Sequence, residues 1–177
     1  MRRLFTGFLA LTLICASGYA MSGNLYEYAA SKHRAVNIKL DECMVAEGCD
    51  AIKSEDLAGA FKKRLLERRT IKFNVVEASE EADLAVSLNV KNFVYSEKDP
   101  VDIVQPIGLL VDLAAVQNYA RLEFEVSVSD PAKNKLLWKK SLKATLTKSD
   151  MPYEKSIPLI TDRAAYVFIK ECFGRPK

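Results

Sequence analysis

The stretch from Tyr119 to Thr147 constrains the fold more than any other part of the sequence. Apolar and polar residues alternate along its first half with a period of two, which is the pattern of a strand with one buried and one solvated face. The apolar set is Ala120, Leu122, Phe124, Val126 and Val128. Asp130, Pro131 and Asn134 then supply residues that favour a tight turn. The pattern therefore predicts a β-hairpin.

The second half of the stretch continues the alternation after the turn. The residues that can join the same core are Trp138, Leu142, Ala144 and Leu146. Burying one large apolar side chain contributes about 1.5–3 kcal/mol, so a slip of one residue that exposed the whole set would be strongly disfavoured. The register of the hairpin is therefore well specified.

Upstream of the hairpin, alternation predicts strands over 36–40 and 71–75 and a third strand that begins at Leu84. The phase of this third strand changes after Asn92, which indicates either a β-bulge or the end of the strand. Residues 43–49 are interpreted as a loop.

Two segments have helical periodicity. In the first, Ser54 is a candidate N-cap and the acidic residues after it suit the helix dipole. Its apolar stripe is Leu57, Ala58, Phe61 and Leu65. In the second, Pro152 and Pro158 bracket the entry, an apolar stripe begins at Leu159, and Gly174 ends the helix.

These elements predict an α+β fold, with a mostly antiparallel sheet, two helices packed on one face and the order β-α-β-β-β-β-α. We expect one domain over 36–177, preceded by 21–35 as a mobile lead-in or short helix around Leu25. Residues 1–20 are set apart by their composition.

The first twenty residues have the pattern of a secretory signal peptide. Arg2 and Arg3 precede an apolar run over 4–14, and small residues follow it. Cleavage before Met21 or before Tyr19 fits the small-residue positions. The protein is therefore expected to be periplasmic or secreted.

Cys15 raises the alternative of lipid attachment and outer-membrane anchoring, but Ile14 stands where a lipoprotein signal has a small residue. Loss of the leader would also remove Arg2 and Arg3 and change the formal net charge from +3 to +1. That balance does not fit a nucleic-acid partner, which favours a strong basic excess.

Two short motifs resemble a known group of proteins. Ala82, Asp83 and Leu84 enter a long strand, and the strand that ends at Asp130 turns into Leu136-Leu137-Trp138. With the leader, this arrangement resembles small bacterial envelope proteins related to the curli-pore lipoproteins and the penicillin-binding-protein activator lipoproteins. Asn134 stands where members usually have Gly, and Cys15 does not match their lipidation site. The resemblance implies a periplasmic or outer-membrane-associated accessory protein that binds other envelope components.

The cysteines that remain after leader removal are Cys43, Cys49 and Cys172. In an oxidising compartment, Cys43 and Cys49 are expected to form a local disulfide, with two free thiols as the alternative. Cys172 is expected to be a buried thiol. A zinc site that used these cysteines and His33 would need an unusual ligand spacing, so no metal or cofactor is expected.

Two surfaces are candidates for partner binding. One is the apolar excursion within 103–116, which needs either a core or a partner to cover it. Its proposed contact residues are Ile107, Leu109, Leu110, Val111 and Leu113. The other is a basic helix face that could contact anionic lipid or an acidic partner, with an ordinary solvated face as the alternative. It comprises Lys62, Lys63, Arg64, Arg68 and Arg69.

No catalytic motif is present in the sequence. Glu123 and Glu125 share a strand face and could mimic a catalytic carboxylate pair, but they also fit an ordinary solvated face. We therefore expect a non-enzymatic envelope accessory protein that binds other envelope proteins in transport, secretion or cell-wall assembly. A soluble periplasmic ligand-binding module and, less favoured, a secreted hydrolase are the alternatives. The sequence leaves the oligomeric state open.

Overall fold

The computed structural model describes residues 24–77, 81–97, 118–148 and 151–175. Three helices and five strands lie in these ranges. In chain order they are α1 (Tyr26–Ala30), β1 (Val36–Val45), α2 (Ser54–Leu66), β2 (Phe73–Val75), β3 (Leu84–Ser96), β4 (Asn118–Asp130), β5 (Lys135–Lys148) and α3 (Tyr153–Phe173).

The strands form one mixed sheet with the order β2-β1-β3-β4-β5. The two long ladders, β3 with β4 and β4 with β5, are antiparallel, whereas β1 pairs in parallel with β2 and with β3. The β1–α2–β2 connection returns the chain to the end of the sheet where β1 began, which makes the first pair parallel. The predicted α+β fold with helices on one face is confirmed.

The core lies between one face of the sheet and helices α2 and α3. Phe168 of α3 is its centre, because its ring stacks on Phe61 of α2 at 5.2 Å and lies 6.1 Å from Trp138 of β5. Phe61 also meets Phe124 of β4 edge to face at 6.3 Å. All five apolar residues predicted to face inward from β4 are buried. The register predicted for the hairpin therefore places its apolar side against the two helices.

The opposite face of the sheet is polar, and no helix in the described part of the chain packs on it. We call this surface the open face. Its half-buried or exposed residues include Ser87, Asn89, Glu123, Glu125, Lys139 and Lys143. The same strands thus supply a dry face and a wet face, as their period-two sequences predict.

Local signals in the sequence are reproduced at the hairpin turn and the bulge. Asp130 Oδ1 accepts a hydrogen bond from the Lys133 backbone N–H at 3.1 Å, and Asn134 has φ of 47°. The pairing of β3 with β4 shifts between Val90 and Asn92, so the phase change there is a β-bulge.

Four boundaries differ from the predictions. Strand β2 begins at Phe73 and not at Ile71. Strand β1 runs to Val45, into the segment 43–49 interpreted as a loop. Helix α2 begins at Ser54 itself, with Lys53 at the N-cap position. Helix α3 begins at Tyr153 and contains Pro158, which lacks the N–H that would bond to the Glu154 carbonyl. The buried stripe of α3 outweighs the loss of that one hydrogen bond.

The segment before β1 contributes to the core through α1. Leu25 and Ala29 are buried, and the Leu25 N–H donates to the Cys172 carbonyl at 2.6 Å. Asn24 Nδ2 donates to the Gly174 carbonyl at 2.6 Å. The short helix considered for this segment is therefore present and joins the end of α3. The predicted leader, residues 1–20, lies outside the described ranges.

Candidate functional site

A groove of about 770 Å³ lies between the outer sides of α2 and α3. Its apolar and small lining residues are Ala51, Gly59, Ala60, Ile157, Pro158 and Leu159. Charged residues of both signs surround them, including Lys53, Asp56, Lys63 and Glu154. Leu159 exposes 42% of its surface. The groove can therefore offer both apolar contact and charge pairing to a ligand or partner.

Gly59 and Pro158 are the residues that explain this opening. A Cβ added at Gly59 would meet nothing within 4 Å, so the α2 side of the groove has room for a side chain. Pro158 donates no hydrogen bond to the Glu154 carbonyl, which leaves a backbone acceptor without its usual helix donor. The groove thus has free volume beside a helical turn that lacks one backbone hydrogen bond.

An ion pair between the helices borders the groove. Arg64 Nε donates to Asp162 Oδ1 at 2.6 Å, and an Arg64 Nη donates to Asp162 Oδ2. The hydrogen bonds from Arg64 lower the pKa of the Asp162 carboxyl below its usual value, even though partial burial acts in the opposite direction. This bidentate contact ties α2 to α3 and sets the width of the groove.

The five basic residues predicted on α2 fall into two groups in the structure. Arg64 pairs with Asp162, and Arg68 Nη groups donate to the carbonyls of Phe173 and, at 3.4 Å, of Ile169. Arg68 is half-buried, and burial lowers the pKa of its guanidinium. Lys62, Lys63 and Arg69 remain exposed. Two of the five predicted basic contacts are therefore used to hold α3, and the proposed role of the other three in binding stays a prediction.

Glu123 and Glu125 lie side by side on the open face, and each has a cationic neighbour. Glu123 Oε1 is 3.4 Å from Arg121 Nε and 3.5 Å from Lys143 Nζ, and Glu125 Oε1 is 3.1 Å from Lys139 Nζ. These pairs match carboxylates on β4 with cations on β4 and β5. The geometry is that of cross-strand charge pairing on a solvated sheet.

The three described cysteines are free thiols, so the bridge predicted between Cys43 and Cys49 is not formed in the structure. Cys43 lies inside β1, whereas Cys49 is buried in the loop that follows, because the strand continues past Cys43 to Val45. Burial raises the pKa of the Cys43 and Cys172 thiols. Cys172 is buried in α3, in agreement with the prediction for it.

Asp83, one of the residues of the sequence resemblance, joins the first strand to the third. Its carboxylate accepts hydrogen bonds from the Asn37 N–H at 3.0 Å, from Arg34 at 2.7 Å and from Lys32 at 3.2 Å. Its side chain is 9% exposed. Burial alone would raise the pKa of Asp83, but the three donors outweigh it and hold the pKa below its ordinary value. The role of this residue is to fix the start of the parallel β1–β3 ladder.

The apolar excursion predicted to bind a partner, with Ile107, Leu109, Leu110, Val111 and Leu113, lies outside the described residues. The strands that flank it are held at their ends by polar contacts. Asn118 Nδ2 donates to the Met151 carbonyl at 2.9 Å and to the Tyr95 hydroxyl at 3.3 Å. Partial burial and then Glu97 raise the pKa of Tyr95 to about 12.

Two further features of the described residues bear on function. None of their helices combines the length and apolarity that a bilayer span requires. No group of three or more His, Cys, Asp or Glu residues in the described ranges is arranged to hold a metal ion.

No protein-family model and no curated protein matches the chain. Solved structures do resemble it. A PelC variant described as a dodecamer, from Paraburkholderia phytofirmans, is 13% identical with a TM-score of 0.49, covering 90% of this chain and 95% of that one. A DUF330 protein from Xanthomonas campestris is 8% identical with a TM-score of 0.49, covering 78% of this chain and 85% of that one.

A minor lipoprotein from Acinetobacter baumannii is 13% identical with a TM-score of 0.40, covering 79% of this chain and 92% of that one. The predicted resemblance to small bacterial lipoproteins is thus confirmed as a likeness to solved structures. At these identities and TM-scores the likeness carries no assignment of function to this chain.

Sequence reasoning missed the groove. The signals were a glycine inside a helical pattern, Gly59, and a proline inside another, Pro158, which was interpreted as a helix entry. Neither signal shows by itself that the two residues face one opening, because α2 and α3 are almost a hundred residues apart in the chain.

Proposed function

We propose that the chain is an exported, non-enzymatic accessory protein of the bacterial cell envelope that acts by binding another envelope protein. The observation that carries this proposal is the groove between α2 and α3, with an exposed Leu159 and charges of both signs around small residues. A partially apolar surface with a polar rim is the usual composition of a protein-binding patch. The leader-like residues 1–20 support export.

Binding in the groove is tested with a photo-reactive amino acid at position 159, introduced into the full chain in bacterial cells. We expect a crosslink to an envelope protein that Gly59→Trp abolishes and Gly59→Ala retains, because tryptophan fills the opening whereas alanine adds a single methyl group in open space. The same amino acid at Thr145, exposed on the open face, is the control. Equal crosslinking from both positions, or a crosslink that survives Gly59→Trp, would contradict the proposal.

Export is tested by the intact mass of the protein recovered from the envelope fraction. Removal of residues 1–20 or 1–18 confirms the leader, and a lipid on Cys15 would show anchoring. The same sample checks the Cys43 and Cys49 thiols, which are free in the structure. A disulfide formed after export would lower the mass by two hydrogen atoms and remove two thiols from alkylation in denaturant. Recovery of the full-length chain from the cytosol would contradict export.

A second candidate is a soluble periplasmic ligand-binding module. The volume of the groove favours it, because about 770 Å³ lies within the range of small-molecule sites. A rise in melting temperature with a lipid or glycan, lost in Gly59→Trp and kept in Gly59→Ala, would support this function in place of protein binding.

A further inference from the structure

The two ends of the domain differ in charge. Helices α2 and α3 both end where β1, β2 and β3 begin, as the contacts of Arg68 with the carbonyls of Ile169 and Phe173 show. Basic side chains outnumber acidic ones at this end. At the opposite end, where α2 and α3 begin, acidic residues predominate, among them Glu47, Asp50, Glu55, Asp56, Glu97 and Glu154.

Four cations at the first end, Arg69, Lys72, Lys170 and Arg175, define what we call the basic end. Each lies within four residues of Phe73 or Phe173, whose rings are 5.0 Å apart, so all four are at the same end of the domain. No acidic side chain of the described residues lies within ion-pair distance of any of the four. All four residues are exposed.

Most of the acidic side chains at this end already have cationic partners. Asp83 contacts Lys32 and Arg34, Asp130 contacts Lys133, Glu67 contacts Arg64 and Glu171 contacts Lys140. Glu27, Glu77 and Glu81, all exposed, have no ion-pair partner within the described residues, which is one carboxylate fewer than the four unpaired cations. The net excess at the basic end is therefore positive.

The amino-terminal side of the chain enters the domain at the basic end. Asn24 and Leu25 donate hydrogen bonds to the carbonyls of Gly174 and Cys172, both at 2.6 Å. The apolar run ends at Ile14, and nine residues separate it from Asn24. A chain of that length spans at most about 30 Å. Until the predicted leader is removed, the basic end is thus the part of the domain nearest to the bilayer that holds the run.

We propose that the basic end is a contact surface for a bilayer that contains anionic phospholipid. Lysine and arginine side chains close to such a surface are attracted to its headgroups. Leu66, one helical turn before Arg69, exposes 53% of its surface and can enter the headgroup layer. This inference rests on the export proposed above. With the basic end on the bilayer, the groove between α2 and α3 lies at the side of the domain and stays free for a partner.

The test is co-sedimentation of the exported protein with vesicles of phosphatidylcholine alone or with phosphatidylglycerol added. We expect preferential binding to the anionic vesicles. The triple variant Arg69→Gln, Lys170→Gln, Arg175→Gln should bind about a hundredfold less, at about fivefold per cation. The matched triple variant Lys91→Gln, Lys148→Gln, Lys155→Gln removes the same charge away from the basic end and should change binding less than threefold. Circular dichroism checks that both variants fold.

If the exported protein retains an apolar leader or a lipid, it will bind both kinds of vesicle, and co-sedimentation then does not report on the basic end. In that case lysine acylation is the measurement. Anionic vesicles should protect Lys72 and Lys170 from the reagent and leave Lys148 and Lys155 reactive. Equal losses in the two triple variants, equal protection at both ends, or no preference for anionic vesicles where the protein carries no anchor would each overturn the proposal. The crosslink from position 159 needs no added lipid. Its outcome therefore tests partner binding in the groove separately from lipid binding at the basic end.

Discussion

The two faces of the sheet use alternate residues of the same strands but are held in different ways. On the face under the helices, aromatic side chains such as Phe61, Phe124 and Phe168 contact one another and are buried. On the open face, carboxylates of β4 lie beside cations of β4 and β5 and stay in contact with solvent. Desolvated apolar contacts stabilise a fold far more than solvated ion pairs. The comparison teaches that the open face can change in sequence at little cost in stability.

The largest effect should come from the centre of the covered face. Phe168→Ala removes a ring that contacts three other aromatic residues and should lower the free energy of unfolding by about 3–5 kcal/mol. Urea unfolding followed by circular dichroism measures it. Ser141→Ala on the open face is the control and should change stability by less than about 0.5 kcal/mol. Similar effects of the two changes would break the comparison between faces.

The second-largest effect on stability should come from Arg68, whose half-buried side chain donates hydrogen bonds to the last carbonyls of α3. Arg68→Met keeps most of the side-chain length but removes the donors to Phe173 and Ile169, and should lower the free energy of unfolding by about 2 kcal/mol. Arg69→Met, at the exposed neighbour, should cost less than about 0.5 kcal/mol. Equal unfolding midpoints for the two variants would show that Arg68 is only a surface cation.

A smaller effect is expected at Asp83, a carboxylate buried at the margin of the open face. Its pKa is lower in the folded than in the unfolded chain, so its contribution is present above the unfolded pKa of about 4 and is lost as the pH falls through the folded value. Asp83→Asn should lower stability at pH 7 by about 1.5 kcal/mol.

Urea titrations of Asp83→Asn and the parent between pH 7 and pH 2 measure this contribution. The difference between the two proteins should shrink as the pH falls below about 4. A difference that stays constant across the range would mean that the carboxylate is not hydrogen-bonded in its charged form.

The smallest effect should come from the open face itself. A double-mutant cycle with Glu125→Gln and Lys139→Gln should give a coupling energy of about 0.5 kcal/mol or less, reduced further by salt. Thermal unfolding at low and high ionic strength measures it. A coupling energy above about 1.5 kcal/mol would show that this ion pair is less screened by solvent than its exposure indicates. The two faces would then differ less in how strongly their contacts stabilise the fold.

The hairpin, its turn and the bulge after Val90 were predictable because each depends on residues close in sequence. The groove was not, since Gly59 and Pro158 line one opening only when α2 and α3 pack side by side. Nor were the roles of Arg64 and Arg68. Their partners lie 98 to 105 residues away, and a basic helix face looks the same in sequence whether its cations face solvent or another helix.

Periodicity in the sequence by itself determined which side of each strand is dry, where the hairpin turns and that Leu57, Phe61 and Leu65 of α2 are buried, whereas Ala58 of the same predicted stripe is only half-buried. Tertiary structure decided that β1 lies between β2 and β3 in parallel pairing, that α1 and Arg68 close the end of α3, and that a groove opens between the helices. Side-chain alternation reports only whether a residue is buried. Strand order and helix contacts depend instead on which distant surfaces fit together, and that complementarity exists only once the chain has folded.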